Sequence, residues 1–164
     1  MKKIAIILSL LFIALSTIQA QNYKSAVGAR LGYPLSASYK LFLNESHAVE
    51  GFVGTRGFTY WRWTNVSIAY QIHKPFNNDN IPEGFQWYYG GGGSVYFWNW
   101  NTGFGNGENN TSFGVQGYIG LDYTFQNIPL NLSVDWVPTF FVNGFGSGFG
   151  SGFGAIAARY TLGK

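Results

Sequence analysis

The sequence lacks cysteine altogether and has few charged residues. Without cysteine, disulfides and thiolate metal sites cannot stabilise the fold, and a lipoprotein export signal is excluded. Only 10% of the residues are charged, against about a quarter in ordinary soluble domains, whereas 20% are aromatic. This imbalance is expected if much of the protein surface faces lipid.

Long apolar runs are also missing, apart from one at the start of the chain. Lys2 and Lys3 precede an uncharged apolar run, residues 4–18, which ends in small residues at Ala20. This pattern predicts a secretory signal peptide, residues 1–20, cleaved after Ala20. A transmembrane anchor is the alternative, but the run is shorter than the roughly 20 residues that span a bilayer.

The rest of the chain, residues 21–164, is expected to form one domain. It contains no apolar stretch of membrane-helix length, so an outer-membrane β-barrel is the membrane-spanning structure that remains. Without Lys2 and Lys3, 8 Lys and Arg stand against 7 Asp and Glu, a net charge of +1. Nucleic acid is therefore not an expected partner.

A period-two alternation of apolar and polar residues runs through most of this domain. It is clearest in residues 112–125 and again in 130–139, and residues 127–129 form a tight connection that makes the pair a hairpin. Further strands are predicted near residues 27–33, 35–41, 49–55, 65–73, 86–98 and 155–162. Pro34 and residues 44–46 mark turns. Gly90 to Gly93 indicate either a bend in the strand or a close approach of bulky neighbours, and in a narrow barrel they make room for interior side chains.

About eight strands of this length fit residues 21–164 without space for a second domain. The predicted fold is all-β, a single closed antiparallel transmembrane β-barrel of about eight strands preceded by a signal peptide. The positions of the charges decide which face meets lipid. Six mid-strand charges share one parity: Arg30, Lys40, Glu50, Asp122, Asp135 and Arg159. The residues of the other parity are aliphatic and aromatic.

If the apolar parity faces outward, these three cations and three anions neutralise one another in an enclosed lumen. This arrangement suits a bilayer, whereas a soluble barrel would need the reverse. Arg62 is the exception on the apolar parity, at a position where a long side chain can reach the membrane interface. The lumen charges could line a conducting path, as in a porin, but closure by ion pairing is the favoured interpretation because an eight-stranded barrel is just filled by its side chains.

If the amino terminus starts in the periplasm, an even strand number returns the carboxyl terminus there and puts the loops near Trp61, residues 98–111 and residues 143–152 outside the cell. Aromatic residues are expected to form girdles at both membrane interfaces. The outer girdle is predicted to contain Trp61, Trp63, Trp98 and Trp100, and the inner girdle Tyr70, Tyr123, Phe125 and Tyr160.

One hairpin carries a resemblance to a known family. Gly120-Leu121-Asp122-Tyr123-Thr124-Phe125 is followed by Ile128-Pro129-Leu130 and by Leu132-Ser133-Val134-Asp135-Trp136. With this hairpin, the chain resembles small eight-stranded bacterial outer-membrane β-barrel proteins of the OmpA-barrel and OmpX type. The resemblance implies location in the outer membrane of a Gram-negative cell, but this class includes structural proteins, adhesins, lipid-modifying enzymes and complex subunits, so fold does not give function.

The favoured function is a non-enzymatic membrane protein, either structural or an accessory subunit of an outer-membrane complex. A lipid-modifying enzyme is one alternative, but His47 and His73 both fall on the periplasmic side, away from the outer leaflet. A barrel that binds a small apolar ligand is another, which a charged lumen argues against. No catalytic residue, metal ligand or cofactor is predicted.

The Gly/Phe repeat of residues 144–154 is not a nucleotide-binding loop, since no helix follows it. It is interpreted either as a flexible hairpin tip at the membrane interface or as a docking surface for another outer-membrane protein. The residues of this possible docking surface are Trp98, Trp100, Phe145, Phe149 and Phe153. Outer-membrane lipids are the other expected partners.

Overall fold

The computed structural model describes residues 23–58, 61–76, 80–100, 110–143, 148–150 and 152–163. The predicted signal peptide, residues 1–20, lies outside this part of the chain. The strands are β1 (Ser25–Tyr33), β2 (Leu35–Phe42), β3 (His47–Phe58), β4 (Trp61–Pro75), β5 (Phe85–Trp100), β6 (Asn110–Thr124), β7 (Leu130–Trp136), β8 (Thr139–Phe141), β9 (Gly148–Gly150) and β10 (Gly154–Leu162).

All strands belong to one antiparallel sheet that closes on itself. Each of β1 to β6 pairs with the next strand along the chain, β6 pairs with both β7 and β8, and β10 pairs with β7 and β1. Because β7 with β8, and β9 with β10, each occupy one position around the ring, the barrel has eight strands. The all-β closed fold predicted from the alternation is confirmed. Within the described ranges, the structure contains no helix that is long and apolar enough to cross a membrane.

The last two strands of the ring are each interrupted, one between β7 and β8 and the other, beside it, between β9 and β10. Pro138 separates β7 from β8 without changing the register, since the Gly117 N–H still donates to the Pro138 carbonyl at 2.9 Å. On the neighbouring strand one extra residue lies between β9 and β10, and the Val137 N–H donates to the Phe153 carbonyl at 3.0 Å. This is a β-bulge, which reverses the side-chain alternation. Phe149 therefore points outward and Phe153 inward.

Glycines on the inward face of β5 let the strands approach closely. A Cβ on Gly90 or Gly92 would lie 2.1 or 2.2 Å from a backbone oxygen of β4, whereas Gly91 and Gly93 have no neighbour nearer than 3.7 Å. Gly90 and Gly92 share the inward parity of Tyr88, which is fully buried. The predicted role of this glycine run, close approach that makes room for interior side chains, agrees with these distances.

The two ends of the barrel differ. The terminal end carries Tyr23, Gly163 and the turns after β2, β4 and β6; at the first of these turns the Asn44 side chain accepts the N–H groups of Ser46 and His47. The loop end carries the other connections, and its rim is uneven, because β1 and β2 have 9 and 8 residues whereas β5 and β6 have 16 and 15.

The glycine geometry generates a matched pair of substitutions. Gly92→Ala should lower the melting temperature of the detergent-solubilised barrel, since its methyl group would meet the β4 backbone, whereas Gly93→Ala on the outward face should change it little. Thermal unfolding followed by circular dichroism measures both. Equal melting temperatures for the two variants would contradict the close approach of β4 and β5.

Candidate functional site: a buried ion network

The six charges predicted for the lumen all lie inside the barrel and are buried. Glu50 on β3 is at their centre. Its carboxylate accepts hydrogen bonds from the guanidinium groups of Arg159, at 2.5 Å, and Arg30, at 3.3 Å, and the ammonium of Lys40 lies 3.8 Å away. One acidic side chain thus contacts all three cations of the predicted lumen set.

The other two carboxylates each bind one of these cations and at least one neutral donor. Asp135 accepts from Arg30 at 2.8 Å and from the Tyr88 hydroxyl at 2.7 Å. Asp122 accepts from Lys40 at 3.3 Å and from the Asn131 side chain at 2.7 Å. The network therefore joins residues from β1, β2, β3, β5, β6, β7 and β10.

Neutral side chains satisfy the remaining polar atoms of Arg159 and Glu50. Arg159 donates from Nε to Ser38 at 3.1 Å and from one terminal nitrogen to Ser133 at 2.7 Å. Gln71 donates to the second oxygen of Glu50 at 2.9 Å. These hydrogen bonds matter because a buried ion pair repays its desolvation only when its other donors and acceptors are also satisfied.

Three positive and three negative side chains balance in this space. Their side chains are at most 3% exposed in each ion pair, so water screens them little. Removing one member would leave an uncompensated buried charge, which costs about 3–5 kcal/mol in comparable sites. The network fills this part of the interior with paired charges.

Aromatic layers close the interior on both sides of the ion network. Toward the terminal end, Tyr23, Phe42 and His73 pack together, and the His73 ring stacks on Tyr88 with centroids 4.8 Å apart. Toward the loop end, an inner aromatic cluster fills the space; its members are Tyr33, Trp63, Tyr96, Trp98, Phe141 and Phe153.

Between the network and the inner aromatic cluster, the interior is also filled. Gln116 donates to Tyr96 and Thr139 and accepts from Tyr118. The cavity lined at this level by Arg30, Phe52 and Gln116 has a volume of about 10 Å³, room for one water molecule at most. The lumen is therefore packed rather than open along the described residues.

Two tryptophans predicted for the outer girdle are inside the barrel instead. Trp63 is 1% exposed and packs against Tyr96, with ring centroids 5.1 Å apart, and Trp98 donates from its indole N–H to Ser112 at 3.0 Å. The prediction was wrong for both because it followed residue type, whereas their parity is that of the polar interior positions. The side chains of Trp61 and Trp100 lie outside the described part of the structure.

The structure separates the residues of the possible docking surface. Trp98 and Phe153 belong to the inner aromatic cluster, whereas Phe149 is 68% exposed on the outer face. Phe145 and the Trp100 side chain are not among the described residues. Phe149 lies opposite Phe140 in the β8–β9 ladder, and both are exposed. Docking at this end stays a prediction.

Sequence reasoning missed several polar residues that complete the interior. Arg56 also points inward, and its guanidinium lies 4.1 Å from the centroid of the Tyr33 ring. Tyr88, Gln71 and Asn131 bind the carboxylates directly. Their parity, shared with the six charges along each strand, was the available signal.

Both histidines lie at the terminal end, as predicted. His73 is buried, and His47, at the start of β3, has its Nδ1 2.6 Å from the Tyr70 hydroxyl on the outer face. The described residues contain no group of three or more His, Cys, Asp or Glu side chains that could hold a metal ion.

The fold and site define the chain as a small closed antiparallel β-barrel of eight strands with a charged, packed interior. Comparison of the chain with protein-family models, with curated proteins and with solved structures gave no match.

Asp135→Ala should lower the stability of the barrel in detergent by about 3–5 kcal/mol, since Arg30 and Tyr88 lose their shared acceptor inside the barrel. Thermal or urea unfolding measures the change. Glu45→Ala, in the exposed turn after β2, is the control and should stay within about 0.5 kcal/mol of the wild type. An unchanged melting temperature for Asp135→Ala would count against the network.

Glu50→Gln should destabilise the barrel more than Asp135→Asn. Both substitutions keep the side-chain size and remove one negative charge, but Glu50 contacts three cations and Asp135 contacts one. Unfolding of both variants under the same detergent conditions tests this order. The reverse order would show that Glu50 is not the centre of the network.

Proposed function

We propose that this protein is an integral outer-membrane β-barrel with a closed lumen, and that it acts without catalysis as a structural protein or as an accessory subunit of an outer-membrane complex. The observation that carries the proposal is the distribution of charge between the two faces of the wall. The six charged side chains of the network are buried inside, and the middle of the outward face is aliphatic and aromatic.

The outward face supports membrane insertion. Its mid-strand positions include Leu31, Val53, Ile68, Val115 and Ile156, all more than half exposed. The outward-facing cations lie at the ends, Lys74 near the terminal end of β4 and Arg62 near its loop end. A soluble barrel that left this much apolar surface in water would aggregate, whereas a bilayer covers it.

Aromatic side chains near the terminal end of the barrel also support membrane insertion. Tyr70 and Tyr160 are exposed on the outer face, and Tyr123 and Phe125 are partly exposed. Amphipathic rings at this level fit a membrane–water interface. With the terminal end in the periplasm, the long strands β5 and β6 extend toward the cell exterior.

A closed interior favours a structural or accessory role over transport. A conducting barrel needs a water-filled path, and here ion pairs and two aromatic layers occupy the space. The proposal of a non-enzymatic role rests on the position of the histidines. His73 is enclosed and His47 lies at the terminal end, where a reaction on outer-leaflet lipids has no access to either.

Location is tested by fractionation. The protein should be recovered in the outer-membrane fraction and should migrate differently on a gel before and after heating, as folded barrels do. Recovery in the soluble periplasmic fraction would overturn the proposal.

A lysine substitution distinguishes lipid from water as the environment of the outer face. Ile68 is 62% exposed in the middle of β4. If it lies at the bilayer midplane, Ile68→Lys should lower the free energy of unfolding by about 2–4 kcal/mol. In water, an exposed Ile→Lys change stays within about 0.5 kcal/mol. Unfolding in lipid vesicles measures it, with Thr111→Lys near the loop end of β6 as the control of small expected effect. Equal stability of the two variants would argue against insertion.

The accessory role is tested by mild-detergent extraction from native outer membranes. A stoichiometric co-purifying protein would identify this barrel as a subunit of a complex. Purification of the barrel alone would instead leave a free-standing structural protein as its role.

A further inference from the structure

An apolar groove crosses the outer surface of the barrel over β5, β6 and β7. It has a volume of about 350 Å³, and outward side chains line it: Trp87, Ile119, Leu121, Val134 and Trp136. Gly120 has no side chain, and the side chain of Asp135 points inward to Arg30, so the backbone of these two residues contributes to the floor. The groove is thus part of the wall directly outside the ion network.

The groove begins beside a cation at the terminal end. Lys74, exposed on β4, is paired across the sheet with Trp87 of β5. The same row continues from Trp87 to Leu121 of β6 and from Leu121 to Val134 of β7. Lys74 and Trp87 are directly opposite each other on the outer face, so Lys74 is the neighbour of a lining residue of the groove.

The two tryptophans form its walls. Trp87 stacks on Tyr89 with ring centroids 5.4 Å apart, which fixes its orientation. Trp136 lies two residues beyond Val134, toward the loop end, and is 48% exposed. The groove therefore runs obliquely from the terminal end toward the middle of the barrel. Three strand spacings separate Lys74 from Val134, roughly 14 Å across the sheet.

We propose that this groove binds one acyl chain of a glycerophospholipid whose phosphate contacts Lys74. The proposal rests on the proposed function, because the membrane supplies the ligand. A positive charge beside the groove and an apolar floor match a molecule with an anionic head and an apolar tail. With the terminal end in the periplasm, the lipid belongs to the inner leaflet of the outer membrane.

Native mass spectrometry of the full-length barrel, folded in a nonionic detergent, tests the site. The probes are phosphatidylglycerol and a diacylglycerol with the same acyl chains, which lacks the phosphate. The wild type should retain phosphatidylglycerol about tenfold more tightly than diacylglycerol, the ratio expected for about one charge-assisted contact. Lys74→Gln should remove this difference, and Trp136→Ala should weaken retention of both lipids about tenfold.

Matched controls use residues of the same type elsewhere on the outer face. Arg62→Gln removes the outward cation near the loop end, and Tyr160→Ala removes an exposed aromatic ring near the terminal end; both should bind as the wild type does. Val134→Trp, which fills the groove without removing a wall, should reduce retention as Trp136→Ala does. If Trp136→Ala does not fold, as judged by the absence of heat-modifiable migration on a gel, Val134→Trp still tests the groove.

If Lys74→Gln retains phosphatidylglycerol as tightly as Arg62→Gln does, the proposed contact between Lys74 and the phosphate is refuted. If Val134→Trp retains both lipids as tightly as Tyr160→Ala does, the groove is not the binding site. Because the assay starts from the folded barrel in detergent, it does not depend on cellular location. Recovery of the protein outside the outer membrane would refute the proposed function alone, and equal lipid retention by all variants would refute this inference alone.

Discussion

The ion network inside this barrel joins three cationic and three anionic side chains in a space that they and their neutral partners fill. Glu50 contacts all three cations, so the positions of β1, β2, β3 and β10 around the ring are tied to one carboxylate. A buried charge is tolerated only when it is paired and hydrogen-bonded. The register of the closing strands must therefore satisfy every member together.

The rest of the architecture is compatible with this constraint. Charged side chains of this length need room, and the inward glycines of β5 provide it by adding no side chain of their own. The aromatic layers on either side keep water away from the ions, which strengthens the pairing. Because polar groups occupy the inside, apolar side chains cover the outside, and the apolar exterior and the charged interior are two results of one alternation.

The alternation is local, which is why so much of it could be predicted from the sequence. A shift of one residue moves every side chain of a strand to the other face, so Arg30, Lys40 and Glu50 on one parity were enough to orient three strands. The ion pairs themselves could not be predicted. Arg30 and Asp135 are 105 residues apart, and they meet only because the ring closes in one register.

Two further features depended on information that a period of two does not contain. The bulge before β10 reverses the alternation within the Gly/Phe repeat and sends Phe153 inside, although its repeat partner Phe149 faces outward. Trp63 and Trp98 were misplaced for the opposite reason, since their parity was informative and their residue type misleading. The groove between Trp87 and Trp136 joins three strands, and only the closed sheet shows that they are neighbours.

The uneven rim has a consequence for how the barrel meets a neighbouring molecule. A barrel of constant height would offer the same profile in every direction, whereas here the short β1–β2 hairpin and the long β5–β6 pair lie on different sides of the ring. The molecule therefore has a low side and a high side. Any neighbour that fits the high side also fixes the rotation of the barrel about its own axis, and that rotation determines which way the groove between Trp87 and Trp136 faces.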